Sequence, residues 1–190
     1  MRYRLPFSGC PASATPIGLT WECVIFVKVN ERDMKPETRK IIIWSLENKI
    51  NEYVRERSLF SGGCCYCAYI LADIFTKLGI KYRTVLFQEY ENADEHDFNN
   101  AINSGLCNHV AIEVNVGSKR VIIGDCSDIT RYYEKWSVKH AIRRYRGITP
   151  EMLFEAYAWN DWNEIYDTDN NEFLKQDLYG IVNQFVPVAA

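Results

Sequence analysis

Three residue types in this chain could do nucleophilic chemistry together: a cysteine, a histidine and a carboxylate. Cys64 follows Gly62-Gly63 and opens an apolar helical pattern that closes at Gly79. The first turn of a helix carries unpaired backbone N–H groups and the positive end of the dipole. A thiol placed there is pushed toward thiolate, its nucleophilic form. A thiolate nucleophile is served by a histidine base, and that histidine by a third group that orients it. The chain has three histidines. His96 lies in a polar, acidic stretch, and His140 is expected in a helix beside Lys139 and Arg143. His109 is expected on a strand, on the face opposite a row of valines and isoleucines, and Asp125 closes the strand that returns beside it. Cys64 as nucleophile, His109 as base and Asp125 as orienting acid therefore form the candidate catalytic set, with Cys65 and Cys67 taken as packing residues.

The elements that must position these groups follow from periodicity. The helix after Gly62 repeats Ala68, Leu71, Ile74, Phe75 and Leu78 at spacings of three and four, so one face is buried. Gly79 suits the left-handed stop at its C-terminus. Upstream, residues 1–20 look like an extended arm rich in Pro, Ser, Gly and Ala, and Trp21 to Val29 has strand composition. A helix then starts at Pro36 with a stripe of Ile43, Leu46, Ile50 and Tyr53, and fades at Arg55-Glu56-Arg57. Lys81 to Tyr90 reads as a strand with Tyr82, Thr84, Leu86 and Gln88 on one face. The acidic, Asn-rich stretch Glu91 to Gly105 reads as a loop or irregular short helix beside the site.

Asn108 to Val116 alternates cleanly, and Gly117-Ser118 turns the chain into Lys119 to Asp125, a hairpin signal. A two-residue loop would pair Val110 with Asp125 and send His109 and Asp125 to opposite faces. A three-residue loop, Val116-Gly117-Ser118, or a bulge would let them meet, and that register is the expectation, with Asp128 as the fallback acid. The remainder, residues 129–190, is expected to be helical: a helix near Val138 to Tyr145, another opened by Thr149-Pro150-Glu151 and running through Leu153, Phe154, Tyr157 and Trp162, and a last one capped at Asp169 or Asn170 and carrying Phe173, Leu174, Leu178, Ile181 and Val182.

Over residues 61–127 the chain resembles the transglutaminase-like superfamily of papain-like cysteine enzymes. Members carry Gly-x-Cys at a helix start, then an Ala and a Leu-Gly-Ile ending the helix, as in Gly62-Gly63-Cys64, Ala68 and Leu78-Gly79-Ile80. A His-x-x-x-Glu-Val strand follows, matching His109, Glu113 and Val114, and an Asp ends the next strand, matching Asp125. The resemblance implies an α+β, papain/transglutaminase-like fold in which the nucleophile helix packs on an antiparallel sheet, with additional C-terminal helices. It implies acyl transfer on amide or peptide bonds through Cys64, His109 and Asp125, as a peptidase or amidase or as a transglutaminase-type enzyme, and no cofactor. Two alternatives stand beside it. One is a transglutaminase-like binding or scaffold protein without turnover. The other is an arylamine N-acetyltransferase-like enzyme, although Ser61 and Tyr66 replace the Arg and Glu of that family's nucleophile segment.

The bulk properties set the frame. A chain of 190 residues holds one ordinary domain with its own core. A net charge of -3 without a basic stripe argues against a nucleic-acid partner. No segment approaches the roughly 20 apolar residues of a membrane span, so no membrane partner is expected. Seven cysteines without regular spacing, at 10, 23, 64, 65, 67, 107 and 126, read as reduced thiols of a cytoplasmic protein. Cys65-Tyr66-Cys67 is too cramped for a zinc pair. Asp167 to Glu172 hints at a calcium loop, but Glu172 stands where the turn glycine belongs and Leu178 where the bidentate acid belongs, so no metal is expected. The expected partner is a peptide or protein amide substrate.

Overall fold

The computed structural model describes residues 34–57, 63–89, 97–103, 107–124, 140–159 and 168–185. The N-terminal arm, the strand expected at Trp21 to Val29, and the residues Gly62, His96, Asp125 and Asp128 lie outside these. Helix α1 spans Pro36–Arg57 and buries Ile43, Leu46, Ile50 and Tyr53, the expected stripe, together with Ile42. Helix α2, Gly63–Lys77, buries Ala68, Leu71, Ile74 and Phe75, with Leu78 buried just beyond its end. It stops because Gly79 takes a φ of 67°, which lets Ile80 N donate to Phe75 O at 2.8 Å and close the last turn.

Strands β1 (Tyr82–Glu89), β2 (Cys107–Val116), β3 (Lys119–Ile123) and β4 (His140–Tyr145) form one antiparallel sheet in the order β3-β2-β1-β4. Helices α3 (Phe98–Asn103), α4 (Pro150–Trp159) and α5 (Thr168–Asn183) complete an α+β arrangement of five helices and four strands among the described residues. Leu86, Val110, Ile112, Val114 and Ile123 point from the sheet into the main core, which all five helices line. Strand alternation sends Val85, Phe87 and Ala111 to the other face, against Ile122 and Ile142. On that face Glu113 is buried and accepts from Arg83 Nη1 at 3.3 Å and Arg144 Nε at 2.8 Å, so one carboxylate links β2, β1 and β4.

α5 holds α1 and α2 in place. Tyr53 Oη of α1 donates to Asp177 at 3.3 Å, Tyr66 Oη of α2 donates to Glu172 at 3.1 Å, and Tyr179 Oη donates back to Asp73 of α2. α4 starts as expected at Pro150, with Met152 N donating to the Thr149 hydroxyl at 3.3 Å.

Four expectations are corrected. The hairpin loop has two residues, since Val116 pairs with Lys119, and the expected three-residue register is not formed. The physical reason is Gly117, whose φ of 62° suits a primed two-residue turn matching the strand twist. That register also stacks Val114 on Val121 and Ile112 on Ile123 on the core face. Second, the segment expected to be helical up to Tyr145 is strand from His140, so His140 is a strand residue and the part after residue 129 is not all helix. Ala141, Ile142 and Tyr145 satisfy a helical spacing, but β1 has a second edge of backbone groups to satisfy, and β4 supplies that ladder. Third, Phe154 and Phe173, expected on buried stripes, are exposed at 47% and 54%. Leu153 and Ala156 fill that role in α4, as Leu174, Leu178 and Val182 do in α5. Fourth, α5 begins at Thr168, ahead of the expected cap.

Glu113→Gln removes the charge from this three-strand link. The two arginines are partly exposed and regain water, so the loss stays below that for a fully buried pair. The expected fall in unfolding free energy, read by denaturant titration, is about 1–3 kcal/mol.

Candidate active site

The site is assembled where α2 begins and β3 ends. Cys64 is the second residue of α2 and is half-buried, while Cys65 and Cys67 beside it are buried, and none of the three is in a disulfide. α2 packs across β2, which brings its first turn to the start of that strand. His109 sits there, buried, with its ring 5.5 Å from that of Phe87 on the neighbouring strand. The β1–β2 ladder runs Phe87 opposite His109 and then Gln88 opposite Cys107, so a bulge at Asn108 interrupts it just before His109. Bulges of this kind bend a strand and re-aim the adjoining side chain. His109 belongs by alternation to the face away from α2, yet it hydrogen-bonds to Cys64.

Three groups act on the Cys64 sulfur besides its solvation. Its thiol is held well below the ordinary range, first by a hydrogen bond from Cys65, then by the hydrogen bond and charge of His109, and then by a backbone bond from Val110. Burial pushes the other way and loses. The last pair of the β2–β3 ladder is Ile112 with Ile123, and Val110 lies two residues further along β2, where its N–H serves the sulfur instead. The open first turn of α2 adds its dipole in the same sense. The half-buried sulfur is thus surrounded by groups that favour its ionised form.

The histidine is held from its other side. His109 Nε2 lies 2.6 Å from the Gly124 carbonyl oxygen. A carbonyl can only accept, so Nε2 carries the proton and Nδ1 is the basic nitrogen of the neutral ring. Gly124 follows the last residue of β3 and has a φ of 85°, a conformation that strains any residue with a Cβ. That backbone turn takes the chain out of the ladder at the point where its carbonyl meets the imidazole. Strand alternation therefore does not extend past Ile123, and Asp125 itself lies outside the described residues.

Of the expected site residues, Cys64 and His109 are brought together. The Gly124 carbonyl, the Val110 N–H and the Cys65 thiol are contacts that side-chain types did not reveal. The available signals were a glycine at the end of a strand and the Cys64-Cys65 adjacency. Glu113 lies four residues along β2 from His109, about 13 Å away at strand spacing, and serves the sheet. A cavity of about 600 Å³, lined by Phe75, Tyr82, Arg83 and Ile148 among others, lies at the other end of α2. It is about 18 Å along the helix axis from Cys64 and does not adjoin the sulfur.

Among the described residues no group of three or more His, Cys, Asp or Glu side chains is arranged to hold a metal ion, and no helix is long and apolar enough to cross a membrane. No protein-family model, curated protein or solved structure matches the chain.

The sign of the Cys64 shift sets the pH behaviour. A lowered thiol pKa keeps the thiolate populated as pH falls, and reactivity is lost only when pH passes below that lowered value. Iodoacetamide is therefore expected to alkylate Cys64 selectively well below the ordinary thiol pKa of about 8.5. His109→Ala removes a donor and a charge, and should slow alkylation of Cys64 near neutrality by about tenfold or more, one pKa unit being tenfold in thiolate fraction. Site-resolved mass spectrometry across pH makes the comparison.

Proposed function

We propose that this protein is a thiol-dependent acyl-transfer enzyme of papain/transglutaminase-like type, acting on amide or peptide bonds. The observation that carries this reading is the hydrogen bond between Cys64 at the start of α2 and His109, whose Nε2 is committed to the Gly124 carbonyl. The α+β arrangement, with the nucleophile helix packed across an antiparallel sheet, is what the resemblance over residues 61–127 leads one to expect.

The chemistry runs as follows. The Cys64 thiolate attacks the amide carbon, forming a C–S bond while the carbonyl electrons move to oxygen. The Cys64 backbone N–H, in the open first turn of α2, is one donor for that oxyanion. On collapse the C–N bond breaks and the amine leaves with a proton from His109 Nδ1, giving a thioester on Cys64. Water or a second amine, its proton taken by Nδ1, then releases the acyl group. Water makes the enzyme a peptidase or amidase, and an amine makes it a transferase. The Gly124 carbonyl fixes the tautomer throughout. That is the role the resemblance assigns to Asp125, the next residue.

p-Nitrophenyl acetate tests the acyl-enzyme directly. The expected result is a burst of p-nitrophenol close to one equivalent per chain, with the acetyl group mapped to Cys64 and the burst absent in Cys64→Ser. Hydroxylamine should speed release if amines are accepted. A folded protein with no burst and no adduct would instead fit a binding or scaffold protein without turnover.

A further inference from the structure

Cys67 has no part in the acyl-transfer chemistry, yet its position relative to Cys64 is chemically specific. The two stand three residues apart in the first turns of α2, and neither is in a disulfide. Residues at that spacing lie on the same side of a helix, with Cβ atoms about 5–6 Å apart. Cα atoms at that helical spacing fall in the range of about 4.4–6.8 Å that a disulfide spans, and the first turn must tighten to bring the Cβ atoms to the roughly 3.5–4.5 Å that the bond requires. Cys65 is differently placed. It is adjacent in sequence, about 100° around the helix from Cys64, and a bond between neighbouring cysteines closes a small ring that distorts the peptide joining them. Its thiol donates a hydrogen bond to the Cys64 sulfur, which is a supporting role.

Burial divides the work between the two sulfurs. Cys64 is half-buried and open to a small oxidant, while Cys67 is 6% exposed and packed in the core. An accessible, activated thiol with a shielded thiol one helical turn below it is the arrangement of an attacking and a resolving cysteine. Only Gly63, Cys64 and Cys65 precede the first anchor of α2, the Tyr66–Glu172 bond, so the adjustment is confined to the opening residues of the turn.

We propose that Cys64 and Cys67 form a reversible peroxide-dependent disulfide that switches the proposed nucleophile off and protects it from irreversible oxidation. This rests on the reading of Cys64 as the activated nucleophile. In the first step the Cys64 thiolate attacks hydrogen peroxide, an S–O bond forms, the O–O bond breaks, and the departing hydroxide is protonated. In the second, the Cys67 sulfur attacks the Cys64 sulfenic acid, its proton joins the departing hydroxide as water, and the S–S bond forms. Two thiols are oxidised and one peroxide is reduced to two waters. A dithiol reductant restores both thiols and releases the nucleophile.

The test uses the full-length native protein, treated with hydrogen peroxide, with each cysteine followed by iodoacetamide labelling and mass spectrometry. The expected result is loss of Cys64 labelling and a peptide lighter by two hydrogens. Fragmentation should place the link at Cys64–Cys67, and dithiothreitol should restore labelling. Cys65→Ser should still switch, whereas Cys67→Ser should carry Cys64 on to sulfinic or sulfonic acid that dithiothreitol does not reverse. A link at Cys64–Cys65, or full recovery of the Cys67→Ser protein, overturns the proposal, and the wild-type mapping stands even if that variant fails to fold. The two readings separate in the untreated protein. Slow labelling of Cys64 before peroxide sinks the nucleophile and the switch together, while fast labelling with no Cys64–Cys67 link sinks the switch alone.

Discussion

Keeping an ionisable sulfur half out of water at the end of a helix is the constraint around which this structure is arranged. Removal from water disfavours the thiolate, so the anion persists only where donors converge. Here they come from different parts of the chain: Cys65 from the same helix, the His109 ring, and the Val110 amide beyond the β3 ladder. Each depends on backbone geometry. The Val110 N–H serves the sulfur beyond the last β2–β3 pair, and His109 reaches it beside the bulge at Asn108.

The rest of the fold makes that convergence rigid. Leu71, Ile74 and Phe75 fix the rotation of α2 on the sheet, and with it the direction in which Cys64 points. Tyr66 and Asp73, on the helix side facing α5, bind Glu172 and Tyr179, so the first turn is tied close to the cysteine itself. On the far face of the sheet, Glu113 between two arginines holds β2 in register with β1 and β4. His109 is carried on that same strand. Sheet electrostatics and site geometry are therefore linked through the β2 backbone, with no direct contact between Glu113 and the imidazole required.

Much of this was legible in the residues. The stripes of α1 and α2 stand out because a fully buried helix face leaves a repeating apolar signature, and Gly79 marks its stop because only glycine takes that φ cheaply. Cys64 was distinguished from Cys65 and Cys67 by its place after the glycine pair. What was not legible depended on partners distant in sequence. β4 looks helical by local spacing and is a strand because β1 has an edge to fill. The hairpin register follows the turn preference of Gly117-Ser118 and not the demand for a histidine–carboxylate contact, which favours a three-residue loop. A backbone carbonyl such as that of Gly124 leaves no side-chain signature at all, although the glycine that allows its turn is visible.

His109 and its neighbours hold the Cys64 thiol below its ordinary range. Thiolate absorbance in the ultraviolet, titrated across pH in the native protein and in Cys64→Ser and His109→Ala, tests this without any assumption about substrate. The account predicts a transition well below the ordinary thiol range that is absent in Cys64→Ser and moves upward in His109→Ala. A Cys64 transition at or above the ordinary thiol value of about 8.5, unmoved by loss of His109, would contradict it.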